Sequence, residues 1–203
     1  MWVQLLMGNK ISKKATRAKR RLYIKTSAKY FEDVGYENAK MSDLAKDLKI
    51  SVGTLYKIFD SKENLYFEYI LYQISIFVKT LTSNQTKDPL ENLKLYLRYK
   101  YKYFITHQNS IELSLAHDPF FFHKLNMHKK HPMDAIFDFL AKQLKQIVQD
   151  DKLDYKHLAI LFKKLSDGYA ESYKIKNFDT ANVIEDTIDL FLNGVSSPQN
   201  SPV

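Results

Sequence analysis

Two short apolar stripes constrain this chain most. Met41, Leu44, Ala45 and Leu48 fall at i, i+3, i+4 and i+7, the spacing that lines one face of an α-helix. After Lys49, Ile50 and Ser51, the residues Leu55 and Phe59 share a face of a second short helix over about Val52 to Phe59, with Ser51 placed to cap it. About two turns each is too little to stand alone in water, because nucleation costs more than so few hydrogen bonds return. Two such helices with a three-residue link make a helix-turn-helix, provided a third element supports them. Lys13 to Val34 supplies it, carrying Tyr23, Ile24, Ser27, Ala28, Phe31 and Val34 at spacings of three and four. Gly35 stops that helix, since glycine tolerates positive φ at a helix C-terminus.

The rest of the chain continues in the helical period. Asp60 and Ser61 open a helix over about Lys62 to Leu81. Asp88 and Pro89 are an N-cap and first-turn proline for one reaching about His107. Asn109 to Lys130 reads as two short helical pieces broken at Asp118 and Pro119, and Pro132 starts a helix to about Gln149. Asp154 caps Tyr155 to about Lys174, and Asp179 caps a helix to Leu192, ended by Asn193 and Gly194. With five Gly and five Pro in 203 residues, a turn-rich β architecture is disfavoured. The expectation is an all-α fold of nine or ten helices: a helix-turn-helix head at 10–60, a helical body at 61–194 and a flexible tail at 195–203.

Charge separates head from body. Up to Lys62 there are fourteen basic residues against six acidic ones, and the whole chain carries +8, so the remainder is neutral. A positive head on a neutral body suits a polyanion. Lys10, Lys13, Lys14, Arg17, Lys19, Arg20 and Arg21 form a basic arm that would follow phosphates and add affinity rather than specificity.

Other classes find little support. The absence of Cys excludes disulfides and thiolate chemistry and fits a reducing cytoplasm, the expected location. No apolar run approaches the roughly 18–20 residues that cross a bilayer, so no membrane partner is expected. Met1 to Met7 is too short for a secretory core, contributes no recognisable element, and leaves Met7 as an alternative start. His117, His123, His128 and His131 with Asp118 have ligand chemistry, but their spacing matches no strong metal motif, so no metal site is assigned. No nucleophile elbow, phosphate loop or carboxylate pair is present, so neither catalysis nor a cofactor is expected.

Phe31, Gly35, Tyr36, Leu44, Ala45, Ile50, Ser51, Gly53, Thr54, Leu55, Tyr56, Phe59, Ser61, Lys62, Glu63 and Leu65 together closely resemble, without gaps, the N-terminal signature of TetR-type helix-turn-helix transcriptional regulators. The resemblance covers about Tyr23 to Leu65. It implies that Gly53 and Thr54, at the exposed start of the second motif helix, approach base edges, and that Tyr56 and Lys62 reach phosphates. It further implies that Lys40 to Ser42 start the first motif helix, that Ser42 and Lys57 read bases, and that Ser51 and Val52 lie near the DNA backbone. Three departures stand out: Ala39 and Lys40 where Thr is usual, Lys49 where the turn usually carries Gly, and Ile58 at a commonly polar position. A left-handed Lys49 would cost ~1 kcal/mol.

The same resemblance implies a homodimer whose last two helices pair with their symmetry mates. The candidate interface is Leu158, Leu161, Phe162, Leu165, Tyr169 and Tyr173 with Ile184, Ile188 and Phe191. It also implies a small-molecule sensor, with Tyr99, Tyr103, Phe104, His107, Phe120, Phe121, Met127, Phe137 and Tyr169 as candidate pocket walls for an unknown effector. The implied function is a ligand-responsive DNA-binding regulator, expected to be a repressor, on a near-palindromic double-stranded operator. The alternative is a nucleoid-bound adaptor of the same fold that recruits a protein and senses nothing.

Overall fold

The computed structural model describes the backbone over residues 2–106, 133–175 and 182–196 and side chains over 17–103, 133–169 and 182–194. Eight α-helices and no strand occur among the described residues: α1 Trp2–Asn38, α2 Met41–Asp47, α3 Val52–Phe59, α4 Lys62–Asn84, α5 Pro89–Thr106, α6 Asp134–Val148, α7 Tyr155–Ile175 and α8 Val183–Ser196. The all-α expectation holds. The short pieces expected between Asn109 and Lys130 lie outside the described residues.

Two boundaries differ from the sequence reading. Helix α1 begins at Trp2 rather than near Lys13, so the opening stretch expected to contribute no element is helical. It contains no proline, and adding residues to a formed helix costs little once the nucleus exists. At its other end α1 runs on to Asn38 past a break at Gly35, whose φ of 76° and ψ of 168° suit glycine far better than any residue with a Cβ.

Packing divides the chain into two compact units at Ser75, inside α4, whereas the sequence reading ended the head at Asp60. The cause is chemical: Leu65, Tyr66 and Tyr69 of α4 are buried in the same cluster as Phe31 of α1, Leu44 of α2 and Leu55 and Phe59 of α3. Tyr66 meets the Phe31 ring edge-on at 4.9 Å, and Tyr36 lies 4.8 Å from Tyr66. Such pairs add to plain burial by matching ring edge to ring face.

The other unit packs α6 against α5 and α7, with α8 on α5 and α7. Its core holds Leu93, Leu97, Leu140, Leu144 and Phe162, with Tyr96 against Phe77 at 5.8 Å and Phe162 against Phe191 at 5.0 Å. Polar groups are buried among them and bonded to one another: Asn92 Nδ2 donates to Gln143 Oε1 at 3.0 Å, and Tyr101 and Thr187 share a hydroxyl pair at 3.1 Å.

Candidate nucleic-acid interface

The link between α2 and α3 is closed by the backbone. Lys49 N–H donates to Lys46 O and Ile50 N–H to Ala45 O, both at 3.0 Å. Lys49 takes φ 53°, the left-handed conformation its glycine-like position demands. Ser51 then caps α3: its Oγ accepts the Thr54 N–H at 3.1 Å and pairs with the Thr54 hydroxyl at 2.8 Å. Leu55 and Phe59 anchor the inner face at 0% exposure. On the outer face Val52 is 39% and Tyr56 45% exposed, Lys57 is exposed, and a Cβ built on Gly53 meets nothing within 4 Å. Lys40 and Ser42, at the start of α2, are exposed as well. The outer face of α3 thus carries an apolar and an aromatic side chain in water beside a stretch of backbone without a side chain.

Two basic residues expected at phosphates are used inside the head. The Lys62 ammonium donates to Tyr36 O at 2.8 Å and Ala39 O at 3.1 Å and lies 4.3 Å from the Tyr36 ring. It therefore ties α4 to carbonyls at the end of α1. Its neighbour Glu63 is held below the usual carboxylate range by hydrogen bonds from the Ser61 side chain, its own backbone N–H and Tyr36. Arg20, assigned to the basic arm by the sequence, sits 4.6 Å over the Phe59 ring, donates through Nε to Glu68 at 2.9 Å, and bonds the Ile58 carbonyl at the end of α3. The hydrogen bond to Glu68 raises its already high pKa. The sequence held a signal for this: Arg20 stands three before Tyr23 and seven before Ser27, on the inward face, while Arg17, Lys19 and Arg21 are exposed.

The candidate body residues divide. Phe162, at 0% exposure, and the buried Ile188 and Phe191 belong to their own subunit's core. Leu161 at 45% exposure, with half-buried Leu158 and Leu165 and exposed Gly168, forms an outward stripe on α7 at helical spacing. Ile184 and Tyr169 are half-buried, and the Tyr173 side chain is outside the described residues. Tyr99, Tyr103 and Phe137 are half-buried. The Phe104 side chain and all of His107, Phe120, Phe121, Met127 and the four clustered histidines lie outside the described residues.

One feature of the body escaped the sequence reading. Lys100 of α5 donates to Ser166 Oγ at 2.5 Å and Asp167 Oδ1 at 2.6 Å, and Lys163 donates to Asp167 Oδ2 at 2.7 Å. Burial alone would raise the Asp167 pKa, but the two ammoniums outweigh it and hold the carboxyl below its ordinary range. Burial also raises the neighbouring phenols, Tyr101 to about 12 and Tyr96 further. Among the described residues no group of three or more His, Asp or Glu is placed to hold a metal, and no helix is long and apolar enough to cross a membrane.

A short supporting helix, a constrained turn and a second helix whose outer face is left open define a helix-turn-helix DNA-binding head. Residues 24–69 match the family model of bacterial regulatory proteins, tetR family. The matched segment is thus of the TetR helix-turn-helix type, and curated relatives of the chain are named as HTH-type transcriptional regulators. It is 25% identical over 195 residues to the uncharacterized HTH-type transcriptional regulator YuxN of Bacillus subtilis (strain 168), covering 92% of this chain and 67% of that one. It is 30% identical over 115 residues to the HTH-type transcriptional regulator SAB2452 of Staphylococcus aureus (strain bovine RF122 / ET3-1), covering 55% of this chain and spanning 59% of that relative's length.

The fold resembles solved regulators. The fatty acid degradation regulator FadR from Bacillus halodurans superposes with a TM-score of 0.67 at 19% identity, over 88% of this chain and 96% of that one. FadR from Bacillus subtilis, in complex with stearoyl-CoA, gives 0.64 at 15% identity over 87% and 97%. The Thermus thermophilus FadR repressor, in complex with lauroyl-CoA, gives 0.64 at 17% identity over 91% and 98%.

Proposed function

We propose that the chain is a ligand-responsive repressor that binds a near-palindromic operator as a homodimer, with the outer face of α3 in the major groove. One observation carries the reading: α3 is anchored by Leu55 and Phe59 at 0% exposure while Val52, Gly53, Tyr56 and Lys57 on its other side are left to solvent. A helix fixed on one side and open on the other can enter a groove without distorting its own support. Tyr56 and Lys57 supply a hydroxyl and an ammonium for phosphate oxygens or base edges. Lys62 acts indirectly, by holding the end of α1 against α4.

Dimerisation is supported by the outward stripe of Leu158, Leu161, Leu165 and Gly168 on α7, to which exposed Leu190 of α8 adds apolar surface. The effector is proposed to be amphipathic. The tyrosine-rich body fits such a molecule, and the acyl-CoA bound by the two FadR proteins above makes a long-chain acyl thioester the first to try. Release of DNA then requires that the effector prefer one state of the body.

The test is a mobility shift of the full-length protein on the DNA upstream of its own gene, at moderate salt with excess nonspecific competitor. A sequence-preferring shift that lauroyl-CoA or stearoyl-CoA reverses is expected. A shift equal to that of scrambled DNA removes the regulator reading, and a preferring shift that no acyl-CoA affects removes the effector class alone.

A further inference from the structure

We propose that Val52 reads the 5-methyl group of a thymine, so that the operator carries a thymine opposite the first turn of α3. The inference rests on the DNA-binding reading above. Val52 is the first residue of α3 and stands 39% exposed, although its side chain is wholly apolar. The helix does not need it for anchoring, because Leu55 and Phe59 fill the core. The polar side chains around it are engaged with each other: Ser51 Oγ takes the Thr54 N–H, and the two hydroxyls bond at 2.8 Å. Gly53, next along, offers bare backbone with open space around it. The leading turn therefore presents two methyl groups beside a surface that can come close to its target.

What such a surface can recognise is narrow. The leading residues of a recognition helix face base edges. The major-groove edges of G, C and A show only hydrogen-bonding atoms, whereas thymine adds an apolar methyl. Against a guanine or cytosine edge, Val52 would strip water from polar atoms and return no hydrogen bond. Against the thymine methyl, two apolar surfaces leave water together. The valine side chain has no donor for a phosphate oxygen, so at the DNA backbone only its main-chain N–H could bond and its two methyl groups would find no apolar partner.

Duplexes enriched from a random pool by the full-length protein provide the test. Each thymine is replaced in turn by deoxyuridine, which deletes the methyl and leaves pairing intact. The wild-type protein is expected to lose about 4-fold in affinity at one thymine of the recognised site, the worth of one buried methyl. Val52→Ala, whose substitution touches no buried position, is expected to bind the thymine duplex more weakly than wild type and to lose nothing further on deoxyuridine. If no deoxyuridine affects wild type, or if the loss is equal in Val52→Ala, the methyl reading is overturned while sequence-preferring binding stands. If the pool yields no enriched sequence, both readings fall together.

Discussion

The two compact units of this chain bury different chemistry. In the head, Phe31, Tyr36, Tyr66 and Tyr69 stack around Leu44, Leu55 and Phe59, and the charged tethers Arg20–Glu68 and Lys62 work at the margin of that cluster. Its one fully buried hydroxyl without a partner among the described residues is Ser27. In the body, Asn92, Gln143, Ser166 and Thr187 lie inside the core, and the ion group Lys100–Asp167–Lys163 reaches into it. Ring packing holds a shape that pH does not alter, whereas a buried charged network depends on every member's protonation and partners. The head is thus built as a fixed platform for α3, and the body as the part whose interior chemistry can be perturbed.

The largest effect should come from breaking the platform. Phe59→Ala removes a ring at 0% exposure that also underlies the Arg20 guanidinium, and should cost about 3–5 kcal/mol in chemical denaturation. A cost near zero would mean that α3 is not held as described.

A smaller effect should follow from disturbing the body's network. Asp167→Asn leaves two ammoniums without their carboxylate and should cost about 1–3 kcal/mol at neutral pH, the side chain being partly exposed. Because the folded-state pKa of Asp167 is depressed, this contribution is present in full above the carboxyl's ordinary 3.8 and is lost as pH falls through the lower folded value. Thermal melts of the two proteins should therefore draw together in acid. A gap that widened below that range would contradict the ion group's role.

The smallest change in stability should carry the sharpest functional signal. Gly53→Ala places a methyl where nothing lies within 4 Å, so the fold should gain about 0.5–1 kcal/mol from reduced unfolded-state freedom. The same methyl would stand between backbone and base edge and should weaken operator binding roughly tenfold. Equal binding with higher stability would show that the leading turn of α3 keeps its distance from DNA.

The helix-turn-helix was legible because its determinants are local. The 3.6-residue period of Met41 to Leu48, the Ser51 cap and the strained turn at Lys49 all lie within twenty residues. The internal partners of Arg20 and Lys62 were not legible, for the opposite reason. Their sequence neighbours are basic or polar, while their partners lie 23 to 48 residues away, at Ala39 and Glu68. The pooled apolar residues of α7 and α8 likewise could not be sorted by period alone. Phe162 and Leu161 are adjacent in sequence and opposite in burial, and only the packing of α5, α7 and α8 tells them apart.

The central claim, that the outer face of α3 meets base edges, can be tested with one attached probe. The chain has no cysteine, so Lys57→Cys gives a unique point for a short photo-cross-linker on that exposed face. Illumination with an enriched duplex is predicted to join the probe to bases within the recognised site, and a scrambled duplex of equal length should give little product. Equal yields from both duplexes, or none from either, would contradict the account.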